Sequence, residues 1–184
     1  MTGTWLAEAL LLTAVDANPP PSPFALRPIT LPADLAFLLD LYRQSRAREM
    51  ALVPWPEEHK RAFLSQQFTA QHFDYENRFV QRRFCLVLRQ GKPIGRLYLA
   101  ETSPGRLRVV DISLVTKMQG RGCGTLLLRW LINLCEGAGA GVELHVQQGN
   151  PARRLYQRLG FVQTTASHGP YDFMCLEPAA IAVS

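Results

Sequence analysis

The sequence predicts a single α/β (mixed α+β) domain built on one mixed β-sheet of about six or seven strands, flanked by helices. The chain has 184 residues, enough for one domain with a sizeable core. Apolar residues make up 47% of it, as in ordinary globular proteins. Segments that alternate with period 2 are interspersed with segments of helical period, which indicates a mixed architecture.

The first 23 residues are predicted to be a tail, residues 24–178 the domain, and residues 179–184 a short C-terminal tail. The apolar stretch Trp5–Val15 is interrupted by Glu8 and follows no positive residue, so we do not expect a signal peptide. It is also too short to cross a bilayer. Pro19–Pro23 reads as a stiff linker, so the first tail is expected to be flexible or to dock on the domain.

The first half of the domain contains a short strand, two helices and then a meander. Phe24–Arg27 is extended, and helical spacing of apolar residues predicts helices at Asp34–Met50 and Glu57–Tyr75. Val53–Pro56 separates these helices because proline disfavours helix at the residue before it. Turn residues then delimit three antiparallel strands, at Phe84–Leu88, Ile94–Ala100 and Leu107–Val115.

The second half alternates helices and strands. A glycine-rich turn, Gln119–Gly124, leads into a helix at Thr125–Ala138 that glycines terminate. The remaining elements are a strand at Val142–Val146, a short helix at Pro151–Leu159, a strand opened by Gly160 and Phe161, and a strand at Tyr171–Leu176.

Periodicity also assigns faces to two of these elements. In the third meander strand, Ile112 and Leu114 share one face, and Asp111, Ser113 and Val115 share the other. The helix after the glycine turn is predicted to bury Leu127, Trp130, Leu131 and Leu134 and to expose Arg129, Asn133 and Glu136.

Charge and cysteine content disfavour several function classes. The chain carries 20 basic and 15 acidic groups, a modest net charge of +5 without a long basic run, so nucleic-acid binding is not expected. Its four cysteines form no C-x-x-C pair and no cluster with histidines, so no metal is expected. Buried, unpaired cysteines fit a reducing, cytoplasmic setting.

The glycine turn is the first feature that carries chemistry. Unpaired amides at a helix start face the positive end of the helix dipole, and glycines let an anion approach the backbone. The turn could therefore cradle a pyrophosphate, or it could be a tight turn only. No Lys-Ser/Thr follows Gly124, so it is not a nucleotide-triphosphatase loop. Three antiparallel strands precede it, which argues against a dinucleotide fingerprint.

A second motif makes the pattern specific. The turn Gln119–Gly124 together with Asn150–Phe161, which reads NPARRLYQRLGF, resembles the GNAT acetyltransferase superfamily over about Phe84–Phe161. The two earlier helices fit that family by position. The family usually places its alanine three residues after the asparagine, whereas Ala152 follows Asn150 by two, and Thr116 stands where proline is common.

The resemblance implies an acyl-CoA-dependent N-acyltransferase with acetyl-CoA as donor. It implies that the strands at Leu107–Val115 and Val142–Val146 are parallel and splayed, which opens a slot for the cofactor. The pantetheine arm would lie along the first of these strands and the pyrophosphate on the turn. The cofactor-binding residues it implies are Ile112, Ser113, Leu114, Gln119, Gly120, Arg121, Gly122, Cys123, Gly124, Thr125 and Asn150.

Transfer to an amine needs a neutral amine and a protonated leaving thiolate. Tyr156 matches the family tyrosine beside the thioester sulfur, and a phenol with a pKa near 10 is a competent acid at neutral pH. His145 is our candidate base, since histidine titrates near neutrality and the family often has glutamate there. The fallback bases are Glu101, Asp111 and Glu143.

The remaining polar groups receive smaller roles. Backbone amides near Leu114 are the candidate oxyanion donors. Cys123 is interpreted as a small residue, because no base is evident beside it and the family transfers directly to amine. Arg121 is expected to contribute its backbone, whereas Arg153 and Arg154 either contact phosphates or are solvated.

The acceptor side is expected at the two early helices and their link, with candidate residues Trp55, Gln67, Gln71 and Tyr75. The acceptor is predicted to be a small-molecule or peptide amine, with no membrane partner, and a homodimer is left open. Two other classes were weighed: a non-catalytic coenzyme A-binding or regulatory domain, against which Tyr156 speaks, and a nucleic-acid-binding module, which lacks a basic aromatic stretch.

Overall fold

A computed structural model describes residues 10–164 and 169–178 of the chain. Residues 1–9, which include the first five residues of the predicted Trp5–Val15 stretch, and residues 179–184 lie outside the described part. In chain order the elements are α1 Leu10–Ala17, β1 Phe24–Pro28, α2 Leu35–Ala51, α3 Glu57–Arg78, β2 Arg82–Arg89, β3 Lys92–Ser103, β4 Arg106–Leu114, a 3₁₀ turn Thr116–Met118, α4 Cys123–Gly137, β5 Gly141–Gln147, α5 Ala152–Arg158, β6 Val162–Gln163 and β7 Tyr171–Leu176.

The strands of the described residues form one mixed sheet of seven strands in the order β1-β2-β3-β4-β5-β7-β6. Only β4 and β5 pair in parallel, and the other neighbours are antiparallel. The predicted single mixed sheet flanked by helices is therefore confirmed. The element boundaries shift by one to three residues, as is usual at frayed ends.

The two parallel strands separate along part of their length. Pairing runs from Arg106 with Gly141 to Val109 with Leu144 and goes no further, although β4 continues to Leu114 and β5 to Gln147. The separation begins at a β-bulge, where Tyr98 and Leu99 of β3 oppose Asp111 and Val109, leaving Val110 as the extra residue. A bulge bends and twists its strand. The predicted splaying is confirmed, and the sheet has an open slot at its centre.

Helices cover both faces of the sheet. One face carries the larger core, in which buried side chains of α1, α4 and α5 pack on strands β3, β4, β5 and β7. The other face carries a smaller core, where Leu38 and Tyr42 of α2 and Leu64 and Phe68 of α3 meet Leu86 of β2. We call these the α4 face and the α3 face. Any group bound in the slot can be reached from both.

Two of the predicted faces need correction. In α4, Leu127 and Leu131 are buried, but Trp130 and Leu134 are only half-buried, and the core positions are completed by Leu128, Ile132 and Cys135. Helix α4 packs against both α1 and β5, so its apolar face is wider than that of a helix that packs on one element only. Val115 does not share a face with Asp111, because β4 ends at Leu114 and Val115 turns into the core.

Helix α1 docks on the α4 face. Leu11, Leu12 and Val15 are buried in the larger core. The backbone N–H of Leu11 donates to Glu101 Oε2 at 3.2 Å, and Asp16 forms an ion pair with Arg83. The described part of the first predicted tail is thus a helix packed on the sheet.

Within the described ranges, no helix is long and apolar enough to cross a membrane. The same residues contain no group of histidine, cysteine, aspartate or glutamate side chains that could hold a metal ion.

The docking of α1 can be tested at two leucines of the same helix. Leu12 is 2% exposed and Leu10 is 67% exposed. We expect Leu12→Ala to lower the free energy of unfolding by about 2–4 kcal/mol, because it removes buried methyl groups and leaves a cavity. Leu10→Ala should change it by less than about 0.5 kcal/mol. Urea denaturation measures both, and equal effects would show that α1 does not pack as described.

Candidate active site

The glycine turn places bare backbone in front of the first turn of α4. Gly120 and Gly122 have φ of 68° and 78°, and Gly122 is the N-cap of the helix. A Cβ built on either would have no atom within 4 Å, so the approach to the turn is open. The first intrahelical amide is Leu126, which donates to Gly122 O, and the amides of Cys123, Gly124 and Thr125 precede it. This is an anion-binding geometry.

The side chains of the turn serve other purposes. Gln119 Nε2 donates to the carbonyl oxygen of Leu114 at 2.8 Å, which ties the turn to the end of β4. Arg121 is exposed, as expected for a residue that contributes its backbone. Cys123 is 5% exposed and belongs to the larger core, in agreement with a small structural residue.

The wall of the slot is formed by the free edge of β4. Ile112, Ser113 and Leu114 pair with Leu97, Arg96 and Gly95 of β3, and on their other side they have no partner in β5. Ile112 and Leu114 pack against the larger core, as their predicted common face requires. A Cβ on Gly95 would lie 2.3 Å from Ser113 O, so glycine is needed where the strands approach closely.

Tyr156 approaches the slot from the α4 face. It lies on α5, is 7% exposed and packs edge-on against Phe161 at a centroid distance of 5.8 Å. Burial, together with the negative charge of Asp111, raises the pKa of Tyr156 to about 12. Its hydroxyl forms no hydrogen bond with another described residue. The hydroxyl oxygen is also not among the described side-chain atoms that are fully buried without a hydrogen-bond partner. The phenol is therefore a neutral donor available to a ligand.

Asn150 and Arg153 are engaged locally at the start of α5. Asn150 is exposed, and its Oδ1 accepts the N–H of Ala152 at 2.9 Å, so the side chain stabilises the first turn. Arg153 binds Asp172 of β7, which is 3% exposed, with 3.3 Å between Nε and Oδ2. Arg153 thus anchors α5, and hence Tyr156, to the sheet, whereas Arg154 is exposed.

His145 lies on the α3 face at the mouth of the slot. It directly follows Leu144, the last residue of β5 that pairs with β4, and its ring lies 4.9 Å from that of Phe173. The predicted common face of Glu143 and His145 agrees with the strand register. Glu143, however, is buried and accepts hydrogen bonds from Thr102 and Arg108. Of the two, His145 is the one exposed to solvent.

An ion pair that sequence reasoning missed lies on the same face of the sheet as His145. Arg96 of β3 is 3% exposed and forks onto Asp111, with Nε–Oδ1 at 3.0 Å and Nη2–Oδ2 at 2.8 Å. We considered Asp111 only as a fallback base and did not single out Arg96. The signal was present, since Arg96 interrupts the apolar strand Ile94–Ala100 at a position that alternation assigns to an inner face.

The acceptor candidates divide into two groups. Gln71 Oε1 accepts from Arg96 Nη2 at 3.1 Å, and Tyr75 packs edge-on against Tyr98 at 6.3 Å, so these two residues of α3 lie against β3 beside the Arg96–Asp111 pair. Burial is the main reason that the pKa of Tyr75 is raised. Gln67 is exposed one turn earlier, and Trp55 packs on Phe63 at 5.4 Å in the link between α2 and α3. The structure does not bring these two to the Arg96–Asp111 pair.

The family follows from a direct sequence comparison. The model of the Acetyltransferase (GNAT) family matches residues 38–161, more than half of the chain. The protein therefore belongs to the GNAT acetyltransferase family. No curated protein sequence matches it.

Solved structures support the same fold. PaiA N-acetyltransferase from Thermoplasma acidophilum in complex with coenzyme A is 17% identical with a TM-score of 0.61, over 84% of this chain and 98% of that one. An acetyltransferase from Thermus thermophilus is 20% identical with a TM-score of 0.59, over 84% and 96%. RimL, a ribosomal L7/L12 α-N-protein acetyltransferase in complex with coenzyme A, is 14% identical with a TM-score of 0.60, over 87% and 97%.

The cradle can be tested with a matched pair of glycines. Gly122 and Gly91 have φ of 78° and 74°, and a Cβ on either meets nothing within 4 Å. Glutamate at either position adds the same backbone strain, about 1–2 kcal/mol. We expect Gly122→Glu to abolish coenzyme A binding in calorimetry, because it puts a negative charge into the cradle, while Gly91→Glu, in the β2–β3 turn, keeps it. Wild-type affinity in folded Gly122→Glu would make the turn merely structural.

Proposed function

We propose that the protein is an N-acetyltransferase that moves the acetyl group of acetyl-CoA to a primary amine by direct attack, with Tyr156 as general acid. The observation that carries the proposal is the slot between β4 and β5, together with the N-terminus of α4 that follows β4 and the buried phenol of Tyr156 on the α4 face, within electrostatic range of Asp111. A non-catalytic coenzyme A-binding domain would need the slot and the N-terminus of α4, but it would have no use for the phenol.

The residues present fit the cofactor. The amides of Cys123, Gly124 and Thr125 and the open backbone at Gly120 and Gly122 would hold a pyrophosphate. The free edge of β4 from Asp111 to Leu114 offers main-chain hydrogen bonds to an extended amide-containing arm. When bound, acetyl-CoA supplies an activated acyl group with a thiolate as leaving group.

Tyr156 holds the proton that a thiolate needs. Since its pKa is raised to about 12, the phenol stays protonated through the whole physiological range. Burial raises the pKa of a departing thiol as it raises that of the phenol, so the proton would pass from the phenol to the sulfur as the carbon–sulfur bond breaks. The backbone amides near Leu114 would stabilise negative charge on the carbonyl oxygen.

His145 would take the proton from the amine. Alkyl ammonium groups have pKa values near 10, so the acceptor arrives protonated and must lose a proton before it attacks. His145 supports this role because it is exposed and lies on the α3 face where β5 leaves β4. The cytoplasmic setting stays a prediction, and a homodimer stays open.

Tyr156→Phe tests the general acid. We expect kcat to fall by about 10²- to 10³-fold with the affinity for coenzyme A largely kept, because only the proton is removed. Thiol release from acetyl-CoA with an amine panel measures the rate, and calorimetry measures the affinity. Tyr42→Phe, at another buried tyrosine, is the control and should leave the rate within about twofold. An unchanged rate in Tyr156→Phe, with chemistry limiting turnover, would assign Tyr156 a structural role.

The pH–rate curve tests His145. Protonation inactivates a histidine base, so kcat/KM should fall as the pH drops through the range where histidines titrate. His145→Gln should slow turnover and remove this acidic limb. His59→Gln, at an exposed histidine of α3, should leave the curve as in wild type. If the limb survives in folded His145→Gln, the base is a different group.

A further inference from the structure

The bulge in β4 determines where the Asp111 side chain lies. Val109 is the last β4 residue that pairs with β5, and Val110 is the bulged residue. Asp111 stands opposite Tyr98, whose side chain is covered by α3, so it projects from the α3 face. It is therefore the first side chain of β4 on this face past the point where the slot opens. His145 has the corresponding position on β5.

Neighbouring side chains hold the carboxylate but do not saturate it. Oδ1 accepts from Arg96 Nε and from Ser113 Oγ, at 3.0 and 2.9 Å, and Oδ2 accepts from Arg96 Nη2. An ionised carboxylate has about four acceptor sites. The hydrogen bonds among the described residues use three of them and leave one on Oδ2. Asp111 is also more accessible than its partner, with 16% of its side chain exposed against 3% for Arg96.

The Arg96 side chain is held in place in turn. Its Nη2 also donates to Gln71 Oε1, and the guanidinium lies 4.9 Å from the ring centre of Tyr98 and 5.5 Å from that of Phe68. A buried ion pair is a weak source of stability, because desolvation offsets most of the attraction. Such a pair is well suited, however, to keep a charged receptor in one position.

Neither guanidinium on this face beside the opening is available to an anion. Arg96 forks onto Asp111, and Arg108 binds Glu143 through Nε at 2.7 Å. A carboxylate that approaches the described part of this face would therefore be repelled by Asp111. It would find both arginines already paired with other carboxylates. Like charges at close range in a partly buried site cost several kcal/mol.

Aromatic rings lie near the Arg96–Asp111 pair and His145 on this face. Tyr75 meets Tyr98 edge-on, and Phe173 lies beside His145. The negative charge of Asp111 contributes to raising the pKa of both Tyr75, on the α3 face, and Tyr156, on the α4 face. Asp111 thus lies within electrostatic range of the general acid and of Tyr75. Ring faces and a carboxylate are together suited to an alkyl or aryl ammonium group.

We propose that Asp111, fixed by Arg96 as a positioning residue, receives the amine of the acceptor and that the site selects primary amines with no carboxylate beside the nitrogen. The inference rests on the proposed function and specifies its substrate class. Amines of this class include free alkyl and aryl amines and α-amines whose carboxyl group is an amide. Free α-amino acids are excluded.

Matched acceptors test the selection. Wild-type enzyme with acetyl-CoA is assayed against tyramine, tyrosinamide and tyrosine, and against isoamylamine, leucinamide and leucine. We expect kcat/KM for each free amino acid to be on the order of 100-fold below that of its amide. Equal values for acids and amides would overturn the inference while leaving the acetyltransferase activity established.

A binding experiment distinguishes failure of this inference from failure of the proposed acetyltransferase function. If no amine of the panel is acetylated although coenzyme A binds, the proposed function fails. The same ligands are then titrated calorimetrically into the protein–coenzyme A complex. Tighter binding of the amides than of the acids upholds the receptor role of Asp111, and equal or absent binding overturns it.

Variants test whether the Arg96–Asp111 pair causes the preference for amides over free acids. In Asp111→Asn the difference between amide and acid should shrink to within about threefold, because the repelling charge is gone. Asp34→Asn is the matched control, since Asp34 is 8% exposed and accepts two hydrogen bonds from Arg27 of the edge strand β1, at 2.6 and 3.0 Å, just before α2. It should keep the wild-type ratio. A wild-type ratio in folded Asp111→Asn would overturn the proposal.

Arg96→Lys keeps the positive charge but loses the fork. We expect the preference for amides to persist and KM for the amide to rise by at least about tenfold, because the carboxylate is no longer fixed. Circular dichroism verifies that the variant folds. An unchanged KM would remove Arg96 from the positioning role.

Discussion

The structure depends on one interruption of hydrogen bonding, the loss of pairing between β4 and β5 beyond Val109 and Leu144. A buried backbone amide or carbonyl without a partner costs about 1–3 kcal/mol, so a sheet does not open at its centre without compensation. The bulge at Val110 starts the separation by bending β4 away from its neighbour. The free strand edge that results is the part of the fold that a ligand can complete.

Side chains around the opening limit the free-energy cost of the lost backbone pairing on each face of the sheet. On the α4 face, Ile112 and Leu114 still pack against the larger core, and Gln119 donates to the carbonyl of Leu114. On the α3 face, Arg96 and Asp111 form a charge-assisted fork between β3 and β4 next to the bulge. Below the opening, the ion pair between Arg108 and Glu143 joins β4 to β5. The slot is therefore an opening between two strands that neighbouring side chains tie to the rest of the sheet.

The two faces give the slot two different environments. Tyr156 lies in an apolar surrounding that raises its pKa and keeps its proton at neutral pH. Asp111 and His145 lie on the other side, where polar and aromatic side chains meet solvent. A buried neutral phenol and an accessible carboxylate thus lie on opposite faces of one sheet.

The sequence alone determined what depends on neighbours along the chain. The glycines at positions 120 and 122, the helix that follows and the Asn150–Phe161 stretch are local patterns, and their resemblance to the GNAT family implied the splayed strands. Turn residues likewise delimited the strands of the meander. These features could be predicted because backbone conformation and helix initiation are decided within a few residues.

Only the tertiary structure decided which residues meet across the sheet. The Arg96–Asp111 fork joins positions 15 residues apart, and its geometry depends on a bulge that no local pattern indicated. The half-burial of Trp130, the turn of Val115 into the core and the docking of α1 depend on elements far away in sequence. Burial is set by what packs on a side chain, and strand register by pairings between distant segments, so periodicity along one segment cannot specify either.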